Sequence, residues 1–273
     1  MINKGEFPLK KVLFYTSVFL IFMFLVFICN SYFKIWFYPL TKMAISEKIL
    51  RRTEEYNVLY TKNFNIKFKE SDSEWAKTTG EILEENYNYI CKQFEYYPQE
   101  RVTVIIYEDG KTLMDIIGLN KGQPPVGAYT CGIISILSPR AWIDERENME
   151  DIYRENTPAV HEFVHFIIDG KTKGNYPEWL TEGIALYMEK ATIGFSWEMG
   201  KGQTKGITLE DLNKNFEGID QKIAYRKSYE VLKDIIDNYG FDKLNALLDD
   251  LSQGHNINSS VNTVLKVNIK DIE

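Results

Sequence analysis

Two histidines four residues apart flank a glutamate in the segment His161-Glu162-Phe163-Val164-His165. The chain holds only three histidines in 273 residues, so this spacing carries information. On an α-helix, residues four apart share a face, and their imidazoles converge on one point. Neutral imidazole is a good ligand for Zn2+. Glu162 falls beside that point, where it can take a proton from an activated water without being a ligand.

A catalytic zinc needs a third protein ligand and an open position for water. The stretch Pro177-Glu178-Trp179-Leu180-Thr181-Glu182-Gly183-Ile184-Ala185 offers one. Glu182 lies 17 residues after His165, far enough for an antiparallel helix to return to the metal. Gly183 leaves room for close helix packing. Glu178 and Glu189 are the competing carboxylates. Glu178 sits near the helix start, where an acid is expected from the helix dipole alone, and Glu189 is expected on a solvated face. The reading is one catalytic Zn2+ on His161, His165 and Glu182, with Glu162 as general base.

The elements that must position these groups follow from capping and periodicity. Thr157-Pro158 supplies a capping hydroxyl and a proline at a helix start. Helices are expected over Pro158–Ile168, Pro177–Lys190, Leu209–Asn215, Gln221–Tyr239 and Phe241–Ser252, with Gly240 and Gly254 as stops. Upstream, Ser73 to Phe94 reads as an amphipathic helix capped by Ser73, with Trp75, Ile82, Leu83, Tyr87 and Ile90 on its apolar side. A short helix is expected over Lys111–Ile117. The segments Asn65–Lys69, Arg101–Tyr107, Ala128–Thr130 and Ile133–Leu137 read as strands. Strands first and helices after predict an α+β domain.

The pairing of His161-Glu162-Phe163-Val164-His165 with Trp179-Leu180-Thr181-Glu182-Gly183 resembles the gluzincin metallopeptidases. The resemblance is to the aminopeptidase-N-like enzymes and, above all, to the membrane-associated peptidase MA-like family. It implies a thermolysin-like zincin domain, zinc on His161, His165 and Glu182, Glu162 as base, and a peptide or protein substrate. The aminopeptidases carry a G-x-M-E-N segment whose Glu holds the free amine of the substrate. Gly127-Ala128-Tyr129-Thr130-Cys131 stands in that place and lacks the acid, so selectivity for free amino termini is not expected. Ile133–Leu137 is weighed as an edge strand for peptide addition or as an ordinary core strand. Related enzymes hold a tyrosine from a later helix over the zinc. Tyr225 is the candidate for that role and Tyr229 the next. Thermolysin-like enzymes place an Asp four residues after the ligand Glu, where this chain has Leu186, so the groups orienting the imidazoles are open, Asp169 among them. That departure and the missing amine-binding acid keep an alternative alive: a catalytically weak or inactive membrane-tethered zinc-binding regulatory module.

The 22 residues from Val12 to Phe33 contain no charge. As a helix they would extend about 33 Å, enough for a hydrocarbon core of about 30 Å. Lys10 and Lys11 precede the run, and Tyr32, Phe33, Trp36, Phe37 and Tyr38 form an aromatic belt after it. The expected layout is a cytoplasmic tail and single transmembrane helix over 1–33, a stalk or linker helix over 34–60, and a peptidase domain over 61–273. The expected place is the cell membrane, with the catalytic domain outside the cytoplasm. Beyond residue 30 the chain has 29 basic and 38 acidic residues, a formal charge of −9. That balance, and the −7 of the whole chain, argue against nucleic acid as a partner. Cys29, Cys91 and Cys131 are too few and too scattered for a disulfide scaffold.

Overall fold

The β-branched and aromatic runs of the first half assemble into one sheet. The structure is a computed structural model that describes residues 9–28, 30–119, 122–144, 146–195 and 204–272. The strands are β1 (Asn57–Tyr60), β2 (Phe64–Phe68), β3 (Val102–Tyr107), β4 (Gly127–Thr130) and β5 (Ile133–Leu137), in the order β1-β2-β3-β5-β4. The central pairs β2–β3 and β3–β5 are parallel, and the outer pairs β1–β2 and β4–β5 are antiparallel. A parallel pair needs a crossover, and α3 (Ser73–Gln93) supplies it between β2 and β3. α4 (Gly110–Ile117) follows β3. The α3 expectation holds on its apolar side, since Trp75, Ile82, Leu83, Tyr87 and Ile90 are all buried. Its cap differs: Ser73 is already helical and Asp72 takes the capping position. The Asp72 carboxylate accepts instead from Ser138 Oγ at 2.6 Å and Arg140 Nε at 3.2 Å.

The central strands are buried on both faces, as parallel strands usually are. One face carries the main core, where Phe163 stacks on Tyr87 and meets Phe64 edge-on. The other face is smaller. There Ile49 joins Ile105, Tyr107, Leu113, Ile116, Ile133 and Leu137.

The edge-strand expectation is corrected by this topology. Ile133–Leu137 forms β5, which lies between β3 and β4 with every residue buried. It pairs with β3 on one side and β4 on the other, so its ladder groups are already taken. β4 is the edge next to it.

The second half is helical: α5 (Met149–Asn156), α6 (Ala159–Thr172), α7 (Glu178–Thr192), α8 (Leu209–Asn215), α9 (Gln221–Leu251) and α10 (Ile257–Leu265). α9 breaks at Gly240, whose φ of 79° and ψ of 168° suit glycine alone, so the two expected helices meet there. Helix α5 has no counterpart among the expected elements.

At the N-terminus, α1 (Leu9–Ile28) is followed by α2 (Asn30–Arg52). Described side chains of α1 from 11 to 25 are exposed. Among the described residues, no helix is long and apolar enough to cross a membrane. The expected span runs on into residues 27–33, whose side chains lie outside the described residues, as does Cys29. Within the stretch expected as a stalk, α2 ends at Arg52 and the chain turns into β1. The inner side of α2, with Tyr38, Lys42, Ser46 and Ile49 at helical spacing, is partly or wholly buried. Cys91 and Cys131 are free thiols.

Candidate metal centre

Helices α6 and α7 meet as an antiparallel pair, and their facing side chains build the centre. α6 starts one residue later than expected: Pro158 takes the cap position instead of the first helical one, and Thr157 Oγ1 accepts from the Ala159 N–H at 3.3 Å. His161 and His165 project from one face, with ring centroids 4.7 Å apart. Gly183 lets α7 approach α9, because a Cβ there would meet the Ser228 carbonyl oxygen at 2.5 Å. That close approach fixes α7 with Glu182 turned toward α6.

The three expected ligands converge. His161 Nε2 lies 3.3 Å from Glu182 Oε2, and His165 Nε2 lies 3.5 Å from Glu182 Oε1. One ligand atom from each residue falls within 4.8 Å of the others, a grouping able to hold a metal ion. Tetrahedral zinc with bonds of about 2.0–2.2 Å separates neighbouring donors by roughly 3.3–3.6 Å. The two observed nitrogen–oxygen separations match that spacing, and the donor set suits zinc.

Each imidazole is oriented through its other nitrogen. Thr181 Oγ1 lies 2.7 Å from His165 Nδ1, and Glu189 Oε2 lies 3.4 Å from His161 Nδ1. The Glu189 carboxylate favours the proton on His161 Nδ1, and the Thr181 hydroxyl can accept one from His165 Nδ1, the tautomers that present Nε2 to a metal. The expectation of a solvated Glu189 is therefore overturned. Its side chain is only 6% exposed, because a residue two turns after Glu182 returns to the same helix face. Asp169 is not an orienting group either. Its carboxylate is taken by Tyr38, by Lys42 Nζ at 2.5 Å and by Tyr176 Oη at 3.4 Å.

Glu162 is buried beside the triad, and burial pushes its carboxyl up to about 8, with Glu182 and Glu189 adding to the rise. The His161 charge and the Tyr129 backbone of edge strand β4 oppose that rise. The same strand passes so close that a Cβ on Gly127 would lie 2.9 Å from Glu162 Oε1. Burial lowers the His165 imidazole to about 4. Burial also disfavours charge on His161, but its hydrogen bonds to Glu182 and Glu189 prevail and raise it well above the usual range. Burial tends to raise Glu182, yet the neighbouring imidazoles hold it below the usual carboxylate range. In sum, the cavity concentrates negative charge that a cation would balance.

Tyr225, on the second turn of α9, comes near this cluster, and its phenol helps hold the Glu182 carboxyl low. Burial and the charge of Glu182 raise its phenol. Tyr229 points elsewhere: its hydroxyl accepts from Lys190 Nζ at 3.2 Å, and its ring stacks on Tyr187. Glu178 opens α7 and is exposed, one turn before Glu182. His255 is half exposed and pairs with Asp250 at 3.0 Å, away from the triad.

A family model described as the peptidase MA superfamily matches residues 91–273. The chain belongs to the peptidase MA superfamily. No curated protein matches it. In this peptidase MA chain the matched stretch takes in β3 to α10, and with them the whole His-His-Glu cluster. It begins inside α3 and leaves α1, α2, β1 and β2 outside. Sequence reasoning missed Thr181 and Glu189 as orienting groups. The seven-residue step from Glu182 to Glu189 was the available signal. It also missed the Tyr129 backbone contact, which has no signature in side-chain type.

Proposed function

We propose that this peptidase MA protein is a membrane-anchored zinc metallopeptidase that cleaves within peptide chains. The convergence of His161 Nε2, His165 Nε2 and the Glu182 carboxylate beside a buried Glu162 carries the reading. Zinc held there would supply Lewis acidity to a water and to the scissile carbonyl. Glu162 takes the proton of the attacking water and passes it to the leaving amine. Tyr225, freed from Glu182 as that carboxylate ligates, donates to the developing oxyanion. Glu189 and Thr181 keep both imidazoles in the ligating tautomer. The free edge of β4 offers backbone groups to an extended substrate.

Cleavage within chains fits β4, whose Gly127-Ala128-Tyr129-Thr130 carries no acid to hold a free amine. The reading of a tethered module without turnover loses its main support, because Glu189 fills the role that Leu186 left open. Membrane attachment is supported by the apolar side chains of α1, exposed at 64% for Phe14, 66% for Leu20 and 62% for Phe24. Such a surface calls for a lipid covering. Lys10 and Lys11 before it, with a long domain after it, favour an orientation that puts the peptidase domain outside the cytoplasm.

The test is hydrolysis of a mixed peptide pool by the zinc-loaded protein in detergent or vesicles. Glu162→Gln should keep one zinc per chain and lose hydrolysis. His161→Ala or Glu182→Ala should lose zinc. A wild-type protein that binds zinc and cleaves nothing would refute the peptidase reading. Extraction of the full chain by alkaline carbonate, without detergent, would refute the anchor.

A further inference from the structure

The buried carboxylate of Asp169 is used by no step above, and its side chain is only 1% exposed. It gathers donors from two parts of the chain. Tyr38 Oη and Lys42 Nζ come from α2 and Tyr176 Oη from the turn before α7. A carboxylate offers about four acceptor sites, so three donors engage most of this one. Lys42 is also wrapped by aromatic faces, 5.5 Å from the Phe166 ring and 5.9 Å from those of Tyr38 and Tyr129. Its stem runs under the β4–β5 turn, where a Cβ on Gly132 would meet Lys42 Cε at 2.9 Å. At that turn the Gly132 N–H donates to Tyr129 Oη at 2.9 Å. Tyr129 lies on β4, and the same strand packs on Glu162: a Cβ on Gly127 would lie 2.9 Å from Glu162 Oε1 and 3.0 Å from its Cγ.

A continuous chain of contacts thus runs from Asp169 through Lys42 of α2 to the Tyr129 ring and the β4–β5 turn, and along β4 to Gly127 against Glu162. We infer that Lys42 and Tyr38 are positioning residues for the general base, clamping β4 against α6 through Asp169. The inference rests on the peptidase reading for its kinetic consequence. Its geometry belongs to this chain's own N-terminal part, since α2 lies outside the family match. The physical basis is twofold. Removing Lys42 leaves a buried carboxylate without its cation. Loosening β4 lets Glu162 move, and displacements near 1 Å at a reacting group cost up to about a hundredfold in rate.

The experiment compares wild type, Lys42→Met, Tyr38→Phe and the double variant Lys42→Met/Asp169→Asn in the full-length protein. The readouts are zinc content, kcat and KM on one peptide, and amide hydrogen exchange over residues 127–132. Lys48→Met, an exposed change on the same helix, is the control. Lys42→Met should keep its zinc, lose about tenfold to hundredfold in kcat with KM nearly unchanged, and exchange faster at β4. The double variant removes the unpaired charge, so its fold should recover while kcat stays low and β4 stays loose. If Lys42→Met does not fold, Tyr38→Phe and the double variant decide by the same readouts. Wild-type kcat and wild-type exchange in the folded variants would overturn the inference. Loss of zinc in step with kcat would overturn it too, because the cluster would then serve the ligands rather than the base. If the wild type cleaves no peptide, the peptidase reading fails, and exchange at β4 still decides whether α2 clamps it.

Discussion

Substituting Gly183 by alanine tests how the helix packing sets the site. A Cβ at Gly183 would lie 2.5 Å from the Ser228 carbonyl oxygen, 3.0 Å from its carbon and 3.1 Å from Leu232 Cβ. Ordinary contact begins near 3.4 Å, so α9 must retreat by roughly 1 Å from backbone that cannot rotate out of the way. Overpacking of this kind costs about 1–3 kcal/mol. Alanine in a helix returns about 1 kcal/mol relative to glycine. The net loss is up to about 2 kcal/mol, a fall in Tm of up to roughly 8 °C for a chain of this size. Tyr225 precedes Ser228 by one turn of α9, so the retreat carries its hydroxyl away from Glu182. The two histidines stay on α6 and Glu182 on α7. Gly183→Ala should therefore keep its zinc, unfold earlier and lose up to about a hundredfold in kcat. Thermal unfolding, elemental analysis and peptide hydrolysis on one preparation read all three. A variant with raised Tm and full kcat would refute both the packing argument and the placement of Tyr225.

The metal-free protein should lose stability as pH rises through about 4.5 to 8, because Glu162 binds its proton more tightly folded than unfolded. Below that window both states are protonated and the effect vanishes. Glu162→Gln should remove this component, seen as a smaller fall in Tm between pH 5 and pH 8. Glu189→Gln should weaken zinc binding by about 10–100-fold in a chelator competition, with His161 less firmly held in its ligating tautomer. An unchanged affinity would remove Glu189 from the centre. Tyr225→Phe should lower kcat more than it raises KM, and a raised KM with kcat unchanged would assign Tyr225 to ground-state binding.

The ligand set was readable because helical spacing is rigid. His161, His165 and Glu182 were placed by a four-residue repeat and a turn long enough to reverse the chain. The break at Gly240 was readable for a similar reason, since its backbone angles exclude other residues. What escaped was decided by tertiary contact. Glu189 looked like a surface acid because its burial depends on His161 arriving from another helix. Ile133–Leu137 looked like a possible edge because nothing local says that four more residues will pair outside it. The partial burial of α2 on the sheet rests on Asp169, more than 120 positions away in sequence. The family resemblance suggested an Asp after the ligand Glu. The chain meets the same physical need from a different turn of the same helix.

The outermost strand is only four residues long. Fully extended, four residues span roughly 14 Å, so few main-chain bonds are available to a guest. A grip that short cannot pry open folded proteins, and it also offers little template for stacking copies of the enzyme. On the proposed reading, customers must arrive already unravelled or as loose tails. Discrimination among them then falls to the side chains around the cleft.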